Sequence, residues 1–173
     1  MVREAQSKTL MVTLRLTHKL RKLLAIDLTE QLKPTTGRLG DWYANFVPTC
    51  SGDLVVLVNE KTLLSVAIPI WESEHLLLLF RMRVGNLLGM IGIQPKTIEN
   101  EIRHYDQIQF GKTNSRSVLG SMNDIAYQYQ GIAEMAKNKA DLSLSNAEYQ
   151  MSQMPCKPID YRAPMDIARD SLM

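Results

Sequence analysis

Residues 11–16, MVTLRL, alternate along the chain and are rich in β-forming side chains, which predicts a strand. The next ten, THKLRKLLAI, place Leu20, Leu23 and Leu24 at helical spacing, with Thr17 suited to cap the helix. Residues 33–40, KPTTGRLG, break both patterns with Pro34, Gly37 and Gly40 and read as loop. Three β-like runs follow, DWYANFVPT, DLVVLVN and TLLSVAIPI, separated by the turn sequences CSGD and NEK. Runs this short, joined by turns this tight, predict an antiparallel meander. Residues 73–91 predict a buried helix with Ser73 as its N-cap, and Pro95 opens another through KTIENEIRHYD. QIQF (107–110) is a short strand, a long helix runs from near Ser115 to about Lys137, and 143–154 forms a weaker one. The end, with Pro158 and Pro164, reads as a docked or frayed tail. The order β-α-β-β-β-α-α-β-α-α predicts one α+β domain: a short antiparallel sheet of four or five strands packed with several helices. Residues 1–140 would form the core domain and 141–173 a C-terminal helical tail, docked on it or partly mobile.

Composition changes this picture little. The chain has 173 residues, 45% of them hydrophobic and 22% charged, enough to bury a core without metal or disulfides. The net charge of +2 excludes a globally basic protein. Charge is uneven, however: Arg3, Lys8, Arg15, Lys19, Arg21 and Lys22 face only Glu4 within residues 1–22. Such a run is a solvated helix face or a local basic patch. Cys50 and Cys156 lie far apart, and the first ten residues contain no apolar run of the kind found in export signals. Together these predict reduced thiols and a cytoplasmic protein. The most apolar stretch, 75–93, contains Arg81 and Arg83 and is too short and too charged to cross a membrane.

The stretch KTNSRSVLGSMND (112–124) gathers the candidate chemistry. It follows a strand and opens a helix, where unpaired backbone N–H groups and the helix dipole attract anions. Lys112 and Arg116 add full charges, and Thr113, Asn114 and Ser115 add short donors, one of the last two serving as N-cap. The stretch lacks the glycines of a P-loop. On the helical wheel Val118, Met122, Ile125, Tyr129 and Ile132 form a core face, and Arg116, Gly120, Asn123 and Tyr127 form a second line. A glycine in that line predicts either close packing by another element or a groove for a ligand. Asp124 is placed to pair with Arg116 or Arg38.

A second cluster surrounds the start of a strand: Arg38, Asp41, Trp42 and Asn45, with Trp42 facing opposite Asp41 and Tyr43. Arg38 and Asp41 can bridge the loop. NEK reads as a plain hairpin turn. His18, His75 and His104 are scattered and no HExxH or CxxC occurs, so no metal site and no cofactor are expected. There is no GxSxG elbow and no dinucleotide fingerprint. One catalytic reading survives: Arg38, Asp41, Arg116, Asn123 and Asp124 meeting in a cleft as a metal-independent nuclease or nucleotidyl-type enzyme.

The segments LRLTHKL, TTGRLGDWYANF, LVVLVNEKTLLSVAIP and KTNSRSVLGSMND resemble a family of small bacterial proteins classed as a domain of unknown function. Similar segments occur joined to plasmid-borne Orf3-like domains, an association with mobile elements that carries no mechanism. The resemblance spans about residues 11–128. It implies signature positions at Arg38, Gly40, Asp41, Trp42, Asn45, Asn59, Glu60, Thr62, Thr113, Asn114, Ser115, Arg116, Gly120, Asn123 and Asp124, and it implies no activity. The residues themselves favour an anion-binding face at 112–116 for a phosphate-bearing partner, most simply nucleic acid. Arg38, Asp41, Asn45, Asn123 and Asp124 are expected to belong to the same ligand-binding site. The competing class is a protein-interaction or antitoxin-like accessory module, suggested by ten methionines.

Overall fold

The computed structural model describes residues 9–136 and 143–173. The expected helix end near Lys137, the boundary at 140/141, and Arg3, Glu4 and Lys8 of the basic run lie outside them. Five strands form one sheet: β1 (Val12–Leu16), β2 (Trp42–Val47), β3 (Leu54–Asn59), β4 (Ser65–Pro69) and β5 (Ile108–Lys112), in the order β4-β3-β2-β1-β5. The helices are α1 (His18–Leu24), α2 (Leu76–Met90), α3 (Pro95–Ile102), α4 (Arg116–Met135), α5 (Leu144–Ser152) and α6 (Pro164–Leu172). The protein is a single α+β domain.

The meander β2-β3-β4 is antiparallel as its turns require. The sheet as a whole is mixed, which corrects the all-antiparallel expectation: β1 pairs parallel with both β2 and β5. The reason is connection length. Parallel neighbours need a crossover, and α1 with its long loop supplies one for β1 to β2. Local pattern carries no record of strand sense.

Alternation sorts the core into two layers. Val12, Leu14, Leu16, Trp42, Ala44, Val55, Leu57, Val66 and Ile68 face α1, α2 and α6. Tyr43, Val47, Leu54, Val56, Val58 and Ala67 face α4 and α5. Trp42 is fully buried, donates to Tyr105 Oη at 2.7 Å and packs edge-on to Phe80. The C-terminal segment contributes to the core: Ala168 and Leu172 of α6 pack on the first layer, and Ala147 and Met151 of α5 on the second.

Two helix expectations are corrected. Ser73 is not an N-cap; residues Ile70–His75 form a 3-10 turn, and α2 starts after His75 with no side-chain cap. Nor is α2 buried all round. Leu76, Phe80, Val84, Leu87 and Leu88 face the core, while Leu77, Leu78, Met82 and Met90 are exposed. Thr17 caps α1 as expected, accepting from Leu20 N, and of the two candidates Asn114 and Ser115 it is Ser115 that caps α4, accepting from Val118 N. No helix among the described residues is long and apolar enough to cross a membrane.

Candidate functional site

The parallel pair β1 and β5 ends in register, Leu16 beside Lys112. From these adjacent carboxyl ends the chain departs to opposite faces. After β1, α1 buries Leu20 against the first layer; after β5, α4 buries Met122, Ile125 and Tyr129 against the second. Adjacent parallel strands whose helices leave on opposite sides open a crevice at their carboxyl ends, the usual ligand position in doubly wound sheets. Thr17 and His18 line one side by position, and Lys112 through Arg116 line the other. Neither helix carries an acidic residue in its first turn, so no side-chain charge there offsets the dipole, and the Thr17 and Ser115 caps engage one N–H each.

Each donor at the start of α4 has a defined state. Ser115 is the cap, so its hydroxyl is engaged. Asn114 Oδ1 accepts a 2.5 Å bond from Tyr43 Oη, and its Nδ2 has no partner among the described residues. Burial holds the Tyr43 phenol above its ordinary pKa, so it remains a neutral donor to Asn114. Thr113 is half-buried. Lys112 and Arg116 are exposed and enter none of the ion pairs among the described residues. The basic run divides. Arg15 turns inward, Lys19 sits 4.4 Å over the Phe46 ring, and His18 and Lys22 stay exposed.

Behind the crevice lies a polar layer that sequence reasoning missed. Arg15 Nε donates to Asp41 Oδ2 at 2.7 Å, and its Nη1 donates to the Lys112 carbonyl at 3.0 Å. Thr35 Oγ1 donates to Asp41 Oδ1 at 2.5 Å. Thr13 and Gln109 continue this layer, Gln109 Nε2 reaching Thr13 Oγ1 at 2.8 Å. The signal was present: Thr13 and Arg15 alternate with Val12, Leu14 and Leu16, as a strand with one polar buried face must. Asn45 belongs to the cap of α1, its Oδ1 accepting from Thr17 Oγ1 at 2.9 Å.

The other expected groupings do not form. Arg38 does not bridge to Asp41; its Nη1 donates to the carbonyls of Leu172 and Met173 at 3.0 and 3.4 Å, which fastens the end of α6. Asp124 pairs with neither Arg116 nor Arg38 among the described residues and instead stands near Cys156. Arg38, Asp41 and Asp124 therefore occupy three different environments. Asn123 and Tyr127 are exposed on α4, and a Cβ on Gly120 would meet nothing within 4 Å, so no element among the described residues packs there.

The NEK turn is more than a hairpin link. Asn59 is fully buried; its Nδ2 donates to the carbonyls of Leu39 and Asp41, and its Oδ1 accepts from Lys61 N, Thr62 N and Thr62 Oγ1. Glu60 Oε1 accepts from Asp41 N at 3.0 Å. Gly40, at φ +80°, lies so close to Glu60 and Lys61 that a Cβ would fall within 2.9 Å of both side chains. The RLGDW loop and the NEKT turn are one interlocked unit that positions Asp41 and, through it, Arg15.

A model of the family described as Domain of unknown function (DUF6933) matches residues 13–167. The chain belongs to that family. No curated protein and no solved structure matches it. The DUF6933 match covers all five strands apart from Val12 and runs from β1 into α6. The crevice, the polar layer and the interlocked loops all fall within it. Among the described residues no three His, Cys, Asp or Glu side chains gather as a metal site would need.

Proposed function

We propose that the protein binds a phosphate-bearing partner, most simply nucleic acid, in the crevice at the carboxyl ends of β1 and β5. One observation carries this reading. Two helices open from adjacent parallel strands toward opposite faces, neither has an acid in its first turn, and Lys112 and Arg116 stand exposed and unpaired among the described residues beside the longer one. Phosphate oxygens suit such a place because backbone N–H groups, the Asn114 amide and two cations all donate. Contacts of this kind position a strand without reading its sequence. The inward Arg15–Asp41 pair serves the site by holding the Lys112 carbonyl, not by touching a ligand.

The test is fluorescence anisotropy with labelled single-stranded RNA and DNA, wild type beside Arg116→Ala, over a tenfold range of salt. The expected result is steep weakening with salt in the wild type, and a slope smaller by about one in the variant. The absorbance ratio of protein purified at low salt gives a second readout, since retained nucleic acid should be lost with Arg116→Ala. Binding that ignores salt would overturn the proposal.

A second reading, a protein-interaction module, has its own observation: Leu23, Leu77, Leu78 and Met82 are exposed on α1 and α2. Light scattering across concentrations checks for self-association, and a mass fixed at that of the monomer removes self-association from this reading.

A further inference from the structure

A cavity of about 210 Å³ opens on the flank of α4, away from the crevice. Ile125 of α4, Leu63 of the β3–β4 turn, and Pro155 and Pro158 give it apolar walls. Asp124 and Lys157 also line it, and neither enters an ion pair among the described residues, with the other or with any further group. Both are exposed, so two opposite charges that do not pair with each other border a small cavity whose remaining lining mixes these apolar groups with Ser121 and Gln128, an arrangement complementary to a ligand that carries both charges itself.

The walls are built in advance. Pro155 and Pro158 fix φ, and the segment between them is tied down by Cys156 N to Arg162 O and Tyr161 N to Cys156 O, each at 3.0 Å. Leu63, Asp160 and Tyr161 adopt φ of 60°, 55° and 57°. Local hydrogen bonds fix each of them, Leu63 N to Asn59 O at 3.1 Å, Asp160 N to Lys157 O at 3.1 Å and Tyr161 N to Cys156 O at 3.0 Å. Leu63 lines the cavity itself.

We propose that this cavity binds a free aliphatic α-amino acid, with the ammonium on Asp124, the carboxylate on Lys157 and the side chain against Leu63, Ile125 and Pro158. The cavity is smaller than the drug-sized sites of roughly 300–1,000 Å³, which limits the occupant to a small metabolite. This site is independent of the phosphate reading, since neither Lys112 nor Arg116 lines it.

Cys156 also lines the cavity and provides the readout. The chain has two cysteines, so Cys50→Ser leaves Cys156 as its sole thiol. Burial and the nearby Asp124 carboxylate keep that thiol protonated above its ordinary pKa, so alkylation by iodoacetamide is followed at mildly alkaline pH. Millimolar L-leucine, L-isoleucine or L-valine is expected to slow the alkylation several-fold and to raise the melting temperature. Isopentylamine and isocaproate, each lacking one of the two charges, should do neither. Asp124→Asn and Lys157→Met, both at surface positions, should abolish protection without changing the melting temperature of the unliganded protein, while Arg116→Ala keeps protection intact. Failure of all three amino acids to protect Cys156 overturns the proposal. Equal protection by isopentylamine overturns it as well, because the carboxylate would then contribute nothing.

Discussion

Asn59 shows how much one side chain can organise. It is polar, wholly buried, and satisfied at every position by five hydrogen bonds that join the RLGDW loop to the NEKT turn. Buried polar groups left without partners cost about 1–3 kcal/mol each. Asn59→Ala removes all five bonds in one step and leaves the Leu39 carbonyl and the buried Thr62 N–H without that partner, while the Asp41 carbonyl keeps its bond from Glu60 N. The expected loss is roughly 3 kcal/mol in urea unfolding, with a looser Asp41 and Arg15 behind the crevice. A loss below about 0.5 kcal/mol, typical of a surface substitution, would mean that the two loops hold together without it.

At the scale of the element, α4 separates stability from site. Its core face is Met122, Ile125 and Tyr129, and its cap is Ser115. Gly120 serves neither, because its surroundings are open. Glycine in an exposed helix interior is about 1 kcal/mol less favourable than alanine. Gly120→Ala is therefore expected to raise stability by about 0.5–1 kcal/mol, whereas Ser115→Ala should lower it by about 1 kcal/mol. Thermal unfolding of the two variants checks both signs. Unchanged or lower stability in Gly120→Ala would show that something within the folded chain needs the glycine.

At the scale of the molecule, the sheet has two edges, and β4 is closed by charge. Ala67 N, on β4, donates to Glu148 Oε1 at 2.8 Å, and Arg83 Nε from α2 reaches the same oxygen at 2.8 Å. Glu148 is 3% exposed, and Arg83 Nη2 is buried with no partner among the described residues. Burial raises the Glu148 pKa above 4.5, partly offset by Arg83 and the Ala67 N–H. A raised carboxyl pKa means that the folded state holds its proton more tightly than the unfolded state. The stability it contributes is complete below pH 4.5 and is lost as pH rises through the folded value. Glu148→Gln does not titrate. Wild type should therefore lose stability relative to it as pH climbs from 4.5 upward, measured as the difference in melting temperature. A difference that stays flat would show that Arg83 and the Ala67 N–H fully offset burial.

Alternation and spacing by themselves determined the strands, the cap at Thr17, the α4 cap to within Asn114 or Ser115, the antiparallel meander and the core face of α4, because these are local consequences of where apolar groups must point and where helix ends need acceptors. The helix start at 112–116 was legible for the same reason: the N-cap, its cations and the absence of acids are all near neighbours in sequence. Tertiary structure alone decided the partners. Asp41 met Arg15 rather than Arg38 because β1 lies beside β2 in parallel, a pairing set by a crossover and not by any local pattern. Arg38 went to the end of α6, 134 residues away, and Asp124 to Cys156. The proposed crevice depends on β1 and β5, separated by more than ninety residues, ending side by side and sending their helices to opposite faces. Long-range pairing is fixed by the total burial of the folded sheet, and no window of sequence contains that sum.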